Sequence, residues 1–76
     1  MAIDRGECLL REIRLSAGMT QEELSHQLHK RFGLEISANM IGHYERNRKP
    51  IKLEVLRALA IILKKNMDDF YSWPVT

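Results

Sequence analysis

The stretch from Thr20 to Arg46, TQEELSHQLHKRFGLEISANMIGHYER, decides the fold because it contains two helix starts with a strong stop between them. Thr20 and Glu23 have the spacing of a capping box, in which hydroxyl and carboxylate each accept a bond from the other residue's amide. Gly33 ends this helix, and Ser37 is a favourable N-cap for the next one. The stretch therefore predicts two helices with a short connection, the second ending near Arg46.

Signals on either side of this stretch predict three further helices. A first helix is expected over about residues 5–17, with Asp4 and Glu7 as its capping pair. A fourth is expected over about 52–64, and a short fifth over 67–71. No run alternates between apolar and polar residues over the length of a strand, so the predicted fold class is all-α with five helices.

Length and composition limit the chain to one small domain. Its 76 residues are 45% hydrophobic and 29% charged, as in globular domains. The longest apolar run, 58–63, is too short to span a bilayer, and the N-terminus lacks a secretory signal, so cytoplasmic placement is expected. A single cysteine excludes an internal disulfide and a cysteine-cluster metal site. We expect a core over about 5–71 and a tail over 72–76.

A helical wheel separates the predicted third helix into an inward and an outward side. Ile41, Tyr44 and Glu45 share the inward side. The outward side is polar and consists of Asn39, Gly42, His43 and Arg46. A glycine within a helix costs about 1 kcal/mol relative to alanine. We interpret Gly42 as a point of close approach to nucleic acid, the alternative being a tolerated surface residue.

Positive charge is concentrated rather than large. The formal net charge is only +2. The segment after the third helix, however, holds four cations within seven residues, and we call residues 46–52 the cationic loop. Its cations are Arg46, Arg48, Lys49 and Lys52. A one-sided cationic surface of this kind attracts phosphate.

The sequence resembles the Cro/phage-repressor (Xre-like) helix-turn-helix family over about residues 8–71. The resemblance is carried by LREIR at 10–14, GMTQEEL at 18–24, Ile36-Ser37, Ile41, YER at 44–46, Pro50, Leu56, Leu59-Ala60, Leu63 and MDDF at 67–70. It implies a five-helix, lambda-repressor-like DNA-binding domain. It further implies double-stranded DNA as the partner and transcription regulation as the function.

The resemblance also implies a role for individual residues. Base edges are expected to be read by Ala38, Asn39 and His43, with Met40 beside them suited to a thymine methyl. Contacts to the DNA backbone are expected from Gln21, Ser37, Arg46, Asn47, Arg48, Lys49 and Lys52. Arg14 and Glu45 match a partly buried structural ion pair between the first and third helices.

The sequence departs from the family pattern between Leu28 and Ile36, where seven residues intervene instead of about one. This spacing predicts an extended second helix, with Phe32 and Leu34 folding back onto the core. Lys30 and Arg31 then either reach the DNA backbone or only complement the helix dipole.

Apolar residues exceed what one small fold can cover. The fourth helix is apolar nearly all round, and the C-terminal segment adds Tyr71 and Val75. These residues predict a homodimer. Its expected interface is Ile61, Ile62, Phe70 and Trp73. The alternative is that Ile62 and Trp73 pack against each other within one chain.

Other reactive residues form no pattern that supports chemistry. His26 and His29 lack a third metal ligand, and Cys8, placed on the first helix, lacks a base. We therefore expect no enzyme, no cofactor and no metal. The predicted function is a DNA-binding repressor acting as a dimer on a pseudo-palindromic operator. The alternative is a protein-interaction module on the same scaffold that pairs with another regulator or an antitoxin-like partner.

Overall fold

The computed structural model describes residues 4–74, which form four α-helices and one short 3₁₀ helix. The elements are α1 (Leu10–Ser16), α2 (Gln21–Phe32), α3 (Ala38–Glu45), α4 (Leu53–Leu63) and the 3₁₀ helix Met67–Phe70. The predicted all-α class is confirmed for this part of the chain. The short fifth helix predicted over 67–71 forms as a single 3₁₀ turn, after which Tyr71 is extended and pairs with Cys8.

The capping residues that define α2 and α3 act as the sequence predicts. Thr20 Oγ1 accepts from the Glu23 amide at 3.0 Å, and Glu23 Oε1 accepts from the Thr20 amide at 2.8 Å. Gly33 ends α2 with φ +67°, the left-handed conformation that glycine adopts without strain. Ser37 Oγ accepts from the Met40 amide at 3.1 Å and starts α3.

The predicted start of the first helix is wrong. Residues 4–9 are not helical, and α1 begins at Leu10 without a side-chain cap. The Asp4 carboxylate accepts from the Gly6 amide at 2.9 Å instead of capping a helix with Glu7. The segment is extended because its backbone pairs with residues near the C-terminus. The Leu9 amide donates to the Phe70 carbonyl, and the Ser72 amide donates to the Glu7 carbonyl.

The core lies between α2, α3 and α4, and its largest members are fully buried. They are Leu10, Leu24, Leu28, Ile41, Ile51, Val55, Leu59 and Phe70. Phe32 and Leu34 are half-buried against this core, so the connection from α2 to α3 is anchored at two points. The Ser25 hydroxyl adds a third by donating to the Ile36 carbonyl at 2.6 Å. Together these contacts hold α3 against α2.

The fourth helix buries one apolar stripe, and its outer face mixes apolar with charged residues. Its buried stripe is Val55, Leu56, Ala58, Leu59, Ala60 and Leu63. Leu53 and Ile61 face outward with 69% and 42% of their surface exposed. Within residues 4–74, no helix combines the length and hydropathy needed to cross a membrane.

Candidate nucleic-acid interface

The outer side of α3 is polar and accessible. Ile41 is fully buried and Tyr44 is 3% exposed, which fixes the inward side of the helix. Asn39 is exposed and His43 half-buried on the other side. Ala38 is half-buried, so its methyl group is within reach of a surface ligand. The side chains in this position offer one carboxamide and one imidazole, both able to bond base edges.

Met40 lies at the edge of this surface rather than fully on it. Its side chain is half-buried and packs against the core. It also lines a groove of about 490 Å³ beside α3, together with Ser37, Lys49 and Lys52. The structure thus brings four of the predicted DNA-contacting residues to one groove, with two cations on its rim.

The expectation that Gly42 lies open on the outer side is wrong. Gly42 is buried because the side chains of Gln21 and Arg46 cover it. A Cβ atom at this position would lie 3.2 Å from Arg46 Nη2 and 3.5 Å from Gln21 Nε2. The missing side chain therefore makes room for two residues that the sequence assigns to DNA-backbone contacts.

Glu45 connects three elements through its carboxylate. Its Oε2 accepts from Arg14 Nε at 2.6 Å, and its Oε1 accepts from Arg14 Nη2 at 3.2 Å and from Gln21 Nε2 at 3.1 Å. The Arg14 and Glu45 side chains are 9% and 5% exposed. The hydrogen bonds from Arg14 to Glu45 raise the pKa of the arginine above its ordinary value. The network fixes the first residue of α2 to the last residue of α3.

Arg14 and Glu45 form the one ion pair within residues 4–74, which leaves the cations after α3 free to face solvent. Arg46, Arg48, Lys49 and Lys52 are all exposed. Charges of one sign on a connecting loop next to the polar side of α3 create a local positive potential. Such a surface suits the phosphates that flank a major groove occupied by α3.

Asn47 and Ile51 shape the cationic loop. Asn47 adopts φ +61°, a left-handed conformation that asparagine tolerates better than most residues. The Arg48 amide donates to the His43 carbonyl at 2.9 Å, closing the end of α3. Ile51 is fully buried and anchors the other end of the loop in the core.

The predicted dimer interface is wrong at Phe70, which is fully buried within the chain and has no surface to offer a second copy. Ile62 and Trp73 are half-buried, and Ile61 is exposed. The Trp73 indole N–H donates to the Asp68 carbonyl at 2.9 Å, and its ring lies edge-on to Tyr71 with centroids 5.7 Å apart. Trp73 is thus already engaged within the chain, while Val75 lies outside the described residues.

The cysteine and the histidines offer no second centre of chemistry. Cys8 is not on α1 but in the extended segment before it, and burial raises the pKa of its thiol. His26 and His29 are exposed on α2. Among residues 4–74, no three histidine, cysteine or acidic side chains lie close enough together to hold a metal ion.

No sequence pattern indicates the contacts that the N-terminal segment makes with the cationic loop. Arg5 Nη1 donates to the Ile51 carbonyl at 2.9 Å, and Asn47 Nδ2 donates to the Gly6 carbonyl at 3.2 Å. These residues are more than 40 positions apart in the chain. Neither helical periodicity nor a capping pattern predicts a contact of this kind.

Comparison with known proteins gives a family and no individual relative. Residues 10–70, most of the chain, match the model of a helix-turn-helix family. No curated protein and no solved structure matches the chain. The matched range contains all four α-helices and the whole cationic loop.

Proposed function

The chain belongs to the Cro/phage-repressor (Xre-like) helix-turn-helix family of DNA-binding domains, and we propose that it is a sequence-specific transcription regulator whose α3 reads the major groove. The observation that carries the proposal is the outward, polar side of α3 next to four exposed cations. The inward side is fixed by Ile41 and Tyr44. A helix held in this way presents its outer side as a rigid surface.

The contacts divide into reading and positioning groups. Asn39 is suited to a bidentate pair with adenine, and His43 to guanine N7 or O6 or to a phosphate. Gln21, Ser37, Asn47 and the loop cations are suited to the backbone, where they set register without reading sequence. The Glu45 network orients Gln21, because the carboxylate takes one of its amide hydrogens and leaves the other free.

We propose that two copies act together on a pseudo-palindromic operator and repress by excluding polymerase. One α3 of eight residues reaches only a few base pairs, so two half-sites one helical turn apart give a longer recognition sequence. The exposed Ile61, with the half-buried Ile62 and Trp73, is the remaining candidate surface for pairing. Sedimentation equilibrium with and without operator tests this part, and a monomer bound to each half-site independently contradicts it.

Selection from a randomised duplex pool, followed by mobility shifts with two variants, tests the reading role. Asn39→Ala should lose about 5- to 150-fold of its preference for the selected sequence over a mismatched one. Lys49→Ala should weaken binding to both sequences alike and reduce the slope of log affinity against log salt by about one. Equal losses on both duplexes after Asn39→Ala would contradict the reading role of α3.

A protein-interaction module is the second candidate, supported by a different surface. Ile61 lines a groove of about 640 Å³ whose charged lining residues are Arg57, Lys64, Lys65 and Asp68, three cations and one carboxylate. An acidic partner segment with an apolar anchor would suit this groove. Binding to the randomised duplex pool that is weak and insensitive to salt would favour this candidate over the DNA reader.

A further inference from the structure

The two ends of the described chain form a clasp that lies against the cationic loop. We define the clasp as residues 5–9 with 70–73. Three backbone bonds join its halves: the Leu9 amide to the Phe70 carbonyl at 2.8 Å, the Ser72 amide to the Glu7 carbonyl at 3.0 Å, and the Trp73 amide to the Arg5 carbonyl at 2.8 Å. The pairing is antiparallel and includes the bridge between Cys8 and Tyr71.

The clasp satisfies both backbone groups of Ile51. The Ile51 amide donates to the Tyr71 hydroxyl at 3.0 Å, and the Ile51 carbonyl accepts from Arg5 Nη1 at 2.9 Å. The Arg5 guanidinium also lies over the Tyr71 ring, 5.1 Å from its centroid. Buried backbone groups need such partners, since an unpaired one costs about as much as a lost hydrogen bond.

These contacts lie at the point where the loop enters α4. Ile51 sits between Lys49 and Lys52, so its position determines where both lysine backbones run. At the other end of the loop, Asn47 donates to the Gly6 carbonyl of the clasp. The loop is therefore held at both ends by the clasp.

We propose that Arg5 and Tyr71 are positioning residues for DNA binding, which rests on the function proposed above. They hold Ile51 so that the cations beside it face one run of phosphates, and they need no contact with DNA themselves. Ordering the loop before binding removes an entropic cost from the complex. Loosening the clasp should thus lower affinity without altering which bases are preferred.

Gly6 shows that the clasp is closely packed. Its φ is +77°, and a Cβ atom there would lie 2.1 Å from Ser72 Oγ and 2.9 Å from Pro74 Cδ. An alanine at this position would therefore be strained and would push the halves apart. Gly6→Ala is a second way to open the clasp without changing charge.

The test compares Arg5→Met with Arg57→Met, which removes an equal charge from the exposed face of α4. In Arg5→Met, exchange of the Ile51 amide, which donates to the Tyr71 hydroxyl, should accelerate about tenfold or more while the α2 amides keep their protection. Affinity for the selected duplex should fall about tenfold, and the salt slope should decrease by more than one because several loop cations lose their alignment. Arg57→Met should leave exchange in the loop unchanged.

Two more variants separate positioning from charge. Arg5→Lys keeps the charge but not the planar guanidinium that lies over the Tyr71 ring, so it should recover less than half of the affinity lost in Arg5→Met on a logarithmic scale. Gly6→Ala should give the same accelerated exchange and the same reduced slope. The positioning role is overturned if Arg5→Lys restores binding fully, or if exchange at Ile51 stays at the wild-type rate in both Arg5→Met and Gly6→Ala. A wild-type protein that binds no duplex would refute the proposed function instead, while the exchange data would still report on the clasp.

Discussion

Replacing Glu45 with glutamine should destabilise the fold strongly, because the carboxylate balances a guanidinium that is almost as buried as itself. The side chains of Arg14 and Glu45 are 9% and 5% exposed, and two hydrogen bonds at 2.6 and 3.2 Å join them. Removing one partner of a buried pair leaves the other charged and desolvated, which typically costs 3–5 kcal/mol. Arg14 keeps one bond, to the Met19 carbonyl at 2.9 Å, so we expect about 3 kcal/mol for Glu45→Gln.

This loss is large on the scale of the molecule. A domain of this length has a free energy of unfolding of about 4–11 kcal/mol. A loss of about 3 kcal/mol corresponds to a drop in Tm of roughly 12–24 °C. Urea unfolding followed by far-UV circular dichroism at 25 °C measures it directly. Glu54→Gln is the matched control, since Glu54 is an exposed carboxylate on α4 and should change stability by less than about 0.5 kcal/mol.

A double variant separates the pair from its surroundings. Arg14→Met with Glu45→Leu replaces both charges by apolar side chains, which is often close to neutral for buried pairs. The double variant should therefore be more stable than Glu45→Gln alone. Two results would refute the reasoning: a Glu45→Gln protein within 0.5 kcal/mol of wild type, or a double variant less stable than either single one.

Three further predictions concern single residues. Phe70→Ala should lower the free energy of unfolding by about 3–5 kcal/mol because the ring is fully buried. Leu53→Ala should lower it little, because the Leu53 side chain is 69% exposed. Similar losses for the two variants in urea unfolding would contradict the assigned core. The hydrogen bond from the Thr20 amide lowers the pKa of the Glu23 carboxyl, so the contribution of Glu23 to stability is present above the unfolded pKa and is lost as pH falls through the folded value. The stability difference between wild type and Glu23→Gln should therefore shrink from pH 6 to pH 3. A constant difference would exclude this capping role. Gly42→Ala should leave the free energy of unfolding unchanged or raise it by up to about 1 kcal/mol, because alanine favours the helix and only the flexible end of Arg46 must move. The same variant should weaken DNA binding, because the new methyl group displaces the Arg46 guanidinium. Unchanged affinity would show that Gly42 has no part in the interface.

Local signals account for most of what the sequence predicted correctly. The limits of α2 and α3 follow from Thr20, Glu23, Gly33 and Ser37, whose partners lie within five residues in the chain. The inward position of Ile41 follows from the helical period, and the structure agrees with it. Contacts between residues this close in the sequence can be predicted because the capping chemistry depends only on neighbouring residues.

Most of the errors come from contacts between distant parts of the chain. Asp4 and Glu7 have the spacing of a capping pair, but the backbone around them pairs with residues 70–73 and is held extended. The count of apolar residues places Phe70 at an interface because a chain this short has little core to cover them, whereas the structure buries Phe70 fully within the chain. The helical wheel places Gly42 on the open side of α3 because a wheel contains no information on the side chains of Gln21 and Arg46, which cover it.

The most direct test of the central claim is an NMR titration of ¹⁵N-labelled protein with the duplex recovered by selection. We expect the largest amide shifts on Gln21, residues 37–43 and the cationic loop. On a shortened duplex that holds a single half-site, where two copies cannot pair, the outer face of α4 around Ile61 should not shift. Shifts centred on Ile61, Lys64 and Lys65, with Asn39 and His43 unmoved, would contradict the central claim.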